Sequence, residues 1–264
     1  MTHDNEPRLS GHNLKLGYAS NVVLEDIDIV IPDGRITALV GANGSGKSTL
    51  LRTLGRVSPP LSGTVCLDGK AIATLAGRDV ARALALLPQS PVSPEGLTVR
   101  QLCRFGRHPH RGILSRPSSR DEDVVANSLD ATGLTALAER QLDQLSGGQR
   151  QRAWIAMALA QETPILLLDE PTTYLDIAHQ FEVLELLKRL NRDHGRTVVM
   201  VVHDLNHAAK YADNVVAVSG GKILAHGKPA EVFTPRLIKA IFGIEAMVIE
   251  HPIDGTPLCL PFVA

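Results

Sequence analysis

A chain of 264 residues with 44% hydrophobic side chains is long enough to bury the core of one large domain or two modest ones. Its 27 basic and 28 acidic residues nearly cancel, which excludes a global field favouring nucleic acid or an anionic membrane surface. The first ten residues, MTHDNEPRLS, lack the pattern of a signal peptide, and no apolar run approaches the roughly 18 to 20 residues of a membrane-spanning helix, so we expect a cytosolic protein.

The amino-terminal quarter of the chain has the pattern of strands around one glycine-rich loop. Short alternating segments, such as LEDIDIVI within residues 8–33 and GTVCLDG within residues 63–75, predict antiparallel strands. Between them, RITALV at 35–40 is continuously apolar, as expected of a strand buried on both faces, and STLLRTLGRV at 48–57 has a helical pattern. The loop that joins this strand to this helix is GANGSGKS.

That loop, Gly41 to Ser48, matches G-x-x-x-x-G-K-[ST] and lies where the motif requires, between a buried strand and a helix. Glycines let the backbone wrap phosphates, Lys47 reaches the β and γ oxygens, and Ser48 can ligate Mg²⁺. A chance glycine-rich turn is the alternative, which this context disfavours. The residues predicted to bind nucleotide here are Gly41, Ala42, Asn43, Gly44, Ser45, Gly46, Lys47, Ser48 and Thr49.

The stretch from about 90 to 150 has helix-length patterns and no convincing strand, which predicts a small helical insertion. Gln89 lies at its boundary, where an amide could ligate Mg²⁺ and sense a γ-phosphate; by itself it is only a polar boundary residue. At the other end, Ser146 and Gln149 of LSGGQ predict a capping box. The helix start would expose N–H groups that suit an anion, a second phosphate cradle in one chain.

Two further apolar runs, PILLLDE at 164–170 and TVVMVV at 197–202, predict buried strands, with a helical pattern between them and another after the second. This alternation implies a parallel sheet with helices on both sides. The carboxyl ends of such strands face the phosphate crevice, so Asp169 is expected to hold Mg²⁺, and Glu170 to polarise a water for attack on the γ-phosphorus. Taken alone, Asp169 and Glu170 could equally be a solvated acidic pair before Pro171. The presence of the Lys47 loop decides in favour of the functional interpretation.

His203 directly follows the second of these runs, which puts it at the same edge, where it can contact a γ-phosphate oxygen and orient the attacking water. The tail after residue 219 is divided by glycine and proline, with a helix start at Thr234-Pro235. We therefore predict one domain over 1–264. Its nucleotide-binding α/β core with a β subdomain covers 1–88 and 151–219, its helical subdomain 89–150 and its carboxyl-terminal extension 220–264.

The ordered set of GANGSGKS, a boundary glutamine, LSGGQ, ILLLDEP, Asp176 in TTYLD and a histidine after the next strand resembles the ATP-binding subunit of ABC transporters. The resemblance covers nearly the whole chain and implies an α/β P-loop NTPase fold that binds ATP and Mg²⁺. It also implies that Tyr18 stacks on adenine, although a half-buried structural tyrosine is the alternative. Lysine, glutamate and histidine are all present, which implies a working ATPase.

In that family two subunits pair head to tail, so the resemblance explains the second cradle. Ser146, Gly147, Gly148 and Gln149 would cap the γ-phosphate held by the loop of a second copy, and Asp176 would contact that copy. Two ATP molecules would then be buried at the dimer interface.

The segments GLTVRQLCRFGRHPHRG and TTYLDIAHQ are similar to those of importers of ferric siderophores, haem or cobalamin. This similarity implies integral-membrane permease partners, contacted through the helical insertion and the groove near Gln89, and indirectly a substrate-binding protein outside the membrane. The chain would lie on the cytoplasmic face of the cell membrane. A haem or cobalamin importer, an exporter ATPase, and a soluble ABC ATPase acting on nucleic acid remain alternatives; near-zero net charge and a single cassette disfavour the last.

Overall fold

A computed structural model of the chain describes residues 7–18, 21–89, 91, 95–112, 116–173 and 175–262. The strands are β1 (Leu9–Tyr18), β2 (Asn21–Ile31), β3 (Ile36–Val40), β4 (Ser62–Leu67), β5 (Lys70–Ala71), β6 (Leu84–Leu87), β7 (Ile165–Leu168), β8 (Thr197–Val201), β9 (Asn214–Ser219), β10 (Lys222–Gly227), β11 (Glu245–Glu250) and β12 (Pro257–Phe262). The helices are α1 (Lys47–Leu54), α2 (Gly77–Ala83), α3 (Val99–Phe105), α4 (Ser119–Ala131), α5 (Gly147–Ala160), α6 (Ile177–His194), α7 (Leu205–Tyr211), α8 (Pro229–Val232) and α9 (Pro235–Phe242). Within these residues no helix combines the length and the apolar character that a membrane crossing requires.

The chain divides into two compact units, one formed by 1–75 with 197–264 and the other by 76–196. Residues 1–6, which include most of the segment examined for a signal peptide, lie outside the described part of the chain. The predicted division into core, helical subdomain and extension stays a prediction.

The first unit contains the sheet that carries the glycine-rich loop. β3 lies between β8 and β9 and is parallel to both, and β10 pairs antiparallel with β9. Every residue of β3 and β8 is buried, because both faces of these strands are covered. The strands predicted at RITALV and TVVMVV are therefore confirmed. The predicted antiparallel strands are also present, in a separate sheet of order β2-β1-β4-β5.

The carboxyl-terminal part of this unit ends in an element that the sequence analysis did not predict. Thr234 caps α9, since its Oγ1 accepts a hydrogen bond from the backbone N–H of Leu237 at 3.3 Å, as predicted. The following Pro-bounded segments form an antiparallel hairpin, β11 with β12. Pro257 and Pro261 are tolerated because a two-stranded sheet consists only of edge strands.

The second unit combines one pair of parallel strands with helices. β6 and β7 are parallel, with Leu87 opposite Leu168, and β7 is buried throughout. Helices α3, α4 and α5 meet at Cys103, whose thiol lies 3.4 Å from the carbonyl oxygen of Ala156 and 3.9 Å from that of Val125. Burial raises the pKa of this thiol to about 12, so it stays protonated at neutral pH. Helices predicted between 90 and 150 are thus observed within the described residues.

A buried ion-pair network fixes the ends of these helices. Arg107, only 3% exposed, donates from Nε to Asp121 at 3.0 Å and from Nη1 to the carbonyl oxygen of Ala160 and to Glu162, both at 2.7 Å. Burial alone would raise the pKa of Asp121, but hydrogen bonds from Ser118 and Arg107 outweigh it and lower the pKa to about 2. The network connects the end of α3, the first turn of α4 and the end of α5.

Replacing Arg107 by alanine is expected to lower the free energy of unfolding by about 3–5 kcal/mol, because it leaves two carboxylates without their buried partner. Arg104→Ala is the matched control: its pair with Glu122 is 41% and 37% exposed, so we expect a loss under about 1 kcal/mol. Urea titrations at neutral pH measure both. The Asp121 contribution is present above the ordinary pKa of 3.8 and is lost as the pH falls towards 2. The difference in free energy of unfolding between Arg107→Ala and the parent should therefore shrink as the pH falls over that range. Equal losses of unfolding free energy in Arg107→Ala and Arg104→Ala at neutral pH would contradict this account.

Candidate functional site

The glycine-rich loop depends on glycine at two positions where a side chain would collide with its surroundings. Gly41 has φ 152°, and a Cβ there would lie 2.1 Å from the carbonyl oxygen of Val218. Gly46 has φ 102° and is the N-cap of α1; a Cβ there would lie 2.8 Å from Cγ of Leu24. Both positions therefore require glycine for conformation and for space.

The polar groups of this loop fit a phosphate ligand. Lys47 is buried, and its Nζ donates to the carbonyl oxygens of Gly41 and Ala42, both at 2.9 Å, which holds the ammonium inside the loop. The N-terminus of α1 has no side-chain cap, so its first N–H groups suit an anion. Among the described residues, the buried Oγ of Ser45 has no hydrogen-bond partner, as expected of a donor reserved for a ligand.

Tyr18 and His203 lie in the same unit as the loop. Tyr18 is 49% exposed, and its hydroxyl lies 3.3 Å from Oγ1 of Thr49 on α1, with either oxygen able to donate. Leu39 on β3 pairs with Val201 on β8. Gly41 lies two residues after Leu39, and His203 lies two residues after Val201. The exposed His203 therefore lies at the edge of the sheet where the loop begins, as the sequence analysis expected.

In the second unit, Gln89 and Glu170 are brought together by strand register. Leu87 on β6 pairs with Leu168 on β7, so each of the two polar residues lies two positions past a paired residue. The register continues beyond the strands, since the backbone N–H of Asp169 donates to the carbonyl oxygen of Leu87 at 2.9 Å. Gln89 Nε2 then donates to Glu170 Oε2 at 2.7 Å. Asp169 is fully buried and Glu170 nearly so.

A second donor to Glu170 was missed by the sequence analysis. Thr173 Oγ1 donates to the same Oε2 atom at 2.9 Å, and its backbone N–H donates to the carbonyl oxygen of Glu170 at 3.2 Å. Glu170 also has a φ of 55°, which is uncommon for a residue other than glycine. The hydroxyl three residues after the glutamate, in DEPTT, was the available signal. Two donors and an unusual backbone thus fix the direction of this carboxylate.

The predicted capping box at LSGGQ is confirmed. Ser146 is the N-cap of α5: its Oγ accepts from the backbone N–H of Gln149 at 3.3 Å, and the Gln149 side chain accepts from the backbone N–H of Ser146 at 3.2 Å. Ser146 and Gly147 are exposed, whereas most of the helix beyond Arg152 is buried. The helix start is therefore presented to solvent on a well-anchored helix.

Asp176 is the N-cap of α6, in the same unit. Its Oδ1 accepts from the backbone N–H of His179 at 2.9 Å and lies 2.7 Å from Nδ1 of the same residue. The carboxylate is exposed, and hydrogen bonding from the His179 backbone lowers its pKa, so it is ionised at neutral pH.

Comparison with known proteins reveals clear similarities. The sequence model of the ABC transporter family matches residues 24–173. The petrobactin import ATP-binding protein FpuD of Bacillus anthracis is 51% identical over 96% of this chain and 93% of its own length. The ferric enterobactin transport ATP-binding protein FepC of Escherichia coli is 51% identical over 96% and 94%. Among solved structures, the dimeric bacterial ABC transporter cassette MJ0796 superposes with a TM-score of 0.75, at 28% identity over 84% of this chain and 98% of that one.

Proposed function

The chain belongs to the family of ABC transporter ATP-binding subunits, and we propose that it powers the import of a ferric siderophore through a partner permease. The assignment of a ferric siderophore as the cargo rests on 51% identity, over 96% of this chain, to ATP-binding proteins for petrobactin import and for ferric enterobactin transport. ATPase activity is supported by the presence in the sequence of the residue types that binding of phosphate, Mg²⁺ and water needs: Lys47, Ser48, Gln89, Asp169, Glu170 and His203.

The loop residues 41–49 are proposed to bind the phosphates of ATP through their N–H groups and through Lys47. Lys47 would turn from the Gly41 and Ala42 carbonyl oxygens towards the β and γ oxygens, a short movement for a flexible side chain. Ser45 contributes its buried hydroxyl. The exposed ring of Tyr18, tied to Thr49, is proposed to stack on adenine.

Glu170 is proposed as the general base that takes a proton from the attacking water. Gln89 and Thr173 orient it, and His203 would contact a γ-phosphate oxygen and orient the water. Ser48, Gln89 and Asp169 are oxygen donors of the kind that Mg²⁺ prefers, and Gln89 can offer Oε1 because Nε2 is the atom bonded to Glu170. When bound, Mg²⁺ neutralises charge that develops on the phosphate oxygens.

The catalytic form is proposed to be a head-to-tail dimer of two copies. The exposed start of α5 would contact the γ-phosphate bound to the second copy, through Ser146, Gly147, Gly148 and Gln149, and Asp176 would contact that copy's loop. Closure of the dimer on ATP, and opening after hydrolysis, would be passed to the permease on the cytoplasmic face of the membrane through the Gln89 region. A substrate-binding protein outside the membrane would deliver the cargo.

Reconstitution tests this proposal. Proteoliposomes that contain the chain with its permease, with Mg-ATP on the side of the ATPase and the binding protein on the other, should accumulate radioactive iron when it is supplied as a ferric siderophore. Haem and cobalamin, supplied to the same vesicles, should not be taken up, and a non-hydrolysable ATP analogue should stop iron uptake. Uptake of haem or cobalamin instead, or ATPase activity stimulated by nucleic acid and not by the permease, would contradict it.

A further inference from the structure

The starts of α5 and α6, which the proposed function assigns to the second copy, lie against each other within one unit. A Cβ on Gly148 would lie 3.2 Å from Cδ2 of Leu175 and 4.0 Å from Cγ and Nδ1 of His179. The imidazole of His179 therefore lies beside the second residue of α5, with the side chain of Leu175 nearer still. His179 is on the first turn of α6, three residues after Asp176.

The same imidazole holds Asp176. Oδ1 of Asp176 receives two hydrogen bonds from one residue, since the His179 backbone N–H donates at 2.9 Å and the ring Nδ1–H can donate at 2.7 Å. Both bonds fall on Oδ1, and together they fix the direction of the exposed carboxylate. Such charge-assisted bonds are shorter and stronger than neutral ones.

Further along, two contacts keep α5 close to the segment that precedes α6 and to α6 itself. Gln151 Nε2 donates to the carbonyl oxygen of Pro171 at 3.3 Å, and Arg152 lies 3.5 Å from Glu182 on the second turn of α6. These contacts hold the body of the two helices. At the exposed ends, where Ser146 and Asp176 lie, the side chains of Leu175 and His179 lie beside the start of α5, and His179 is the one of the two that bonds to Asp176.

We propose that His179 is a positioning residue that fixes the direction of the Asp176 carboxylate beside the LSGGQ helix start, ready for its contact with the second copy. This role rests on the proposed head-to-tail dimer. His179 is not proposed to touch nucleotide or metal; it acts through Asp176. Its backbone N–H caps α6 whatever the side chain is, so removal of the ring leaves the helix cap in place.

The test compares His179→Ala, His179→Asn and His194→Ala, the last a matched control in the exposed final turn of α6. Asparagine can place an amide N–H near the position of Nδ1, whereas alanine cannot. We expect His179→Ala to lower kcat for ATP about tenfold and to weaken ATP-dependent dimerisation by a similar factor, the size of one charge-assisted hydrogen bond. ATP binding to the isolated subunit and Tm should hardly change, because the loop and the α6 cap are intact. His179→Asn should recover most of the loss, and His194→Ala should behave as the parent.

The outcomes separate this inference from the proposed function. If the parent dimerises on ATP and hydrolyses it while His179→Ala matches it within about twofold, the positioning role is wrong and the dimer stands. If His179→Asn is as impaired as His179→Ala, the ring acts by its volume and not through Nδ1, which also overturns the inference. If the parent itself shows no ATP-dependent dimer, the proposed assembly fails and the role of His179 fails with it.

Discussion

Replacing Glu170 by glutamine is expected to lower ATP hydrolysis by at least about 100-fold while leaving ATP binding unchanged. Glutamine has nearly the shape of glutamate and can still accept from Gln89 and Thr173, which both bond the same Oε2. It cannot take a proton from water at neutral pH. The substitution therefore removes the proposed base and preserves the surrounding geometry.

The measurement is single-turnover hydrolysis by the subunit in complex with its permease, together with binding of a fluorescent ATP analogue. Glu139→Gln serves as the control, because Glu139 is an exposed carboxylate that pairs with Arg100 on the surface. Hydrolysis by Glu170→Gln above about half of the parent rate would rule out Glu170 as the base.

Lys47→Ala and Ser146→Arg are each expected to lower hydrolysis by the homodimer at least about 100-fold. The two residues are proposed to contact opposite sides of one nucleotide, each from a different copy. Lys47→Ala removes the ammonium held inside the phosphate loop. Ser146→Arg puts a long side chain at an exposed helix start and removes one capping bond, which costs roughly 1 kcal/mol, so the subunit should remain folded. The Ser146→Arg subunit should still bind ATP as a monomer, and the Lys47→Ala subunit should not.

Fluorescence titration of each purified variant at concentrations too low for dimerisation measures this difference, and single-turnover assays measure hydrolysis. Gln144→Arg, on the exposed turn before LSGGQ, is the control for added charge and bulk and should hydrolyse ATP as the parent does. Loss of monomer ATP binding in Ser146→Arg would show that the helix start acts on its own chain's nucleotide.

The position of each chemical group could be predicted because each follows a strand whose sequence is unmistakable. RITALV, PILLLDE and TVVMVV are short, apolar and bounded by polar residues, and a residue that follows a parallel strand lies at its carboxyl edge. Asp169, Glu170 and His203 were predicted on that ground, and Lys47 was predicted from the G-x-x-x-x-G-K-[ST] spacing of the loop that follows the first of these strands. The Ser146 capping box was predicted from two residues three positions apart, which is a local property of the chain.

The contacts between these groups could not be predicted in the same way. The bond from Gln89 to Glu170 depends on the register of β6 against β7, and these segments are 81 positions apart in the chain. The bond from Thr173 to Glu170 accompanies a positive φ at Glu170, a backbone conformation that a glutamate in a sequence does not signal. The β11–β12 hairpin was missed because its prolines disfavour a strand in the interior of a sheet. They are acceptable here because, among the described residues, β11 and β12 pair only with each other.

In the proposed dimer, one nucleotide is held by Lys47 of one copy and by the LSGGQ helix start of the other. To test this arrangement, the Lys47→Ala and Ser146→Arg subunits, both in a Glu170→Gln background where bound ATP is not hydrolysed, are mixed, and the ATP trapped per dimer is counted. A mixed dimer has one site with both Lys47 and Ser146 intact and one site with neither. We therefore expect about one trapped ATP per mixed dimer and none when either variant is present alone. If the mixture trapped no ATP although the Ser146→Arg subunit binds ATP as a monomer, the shared site would be contradicted.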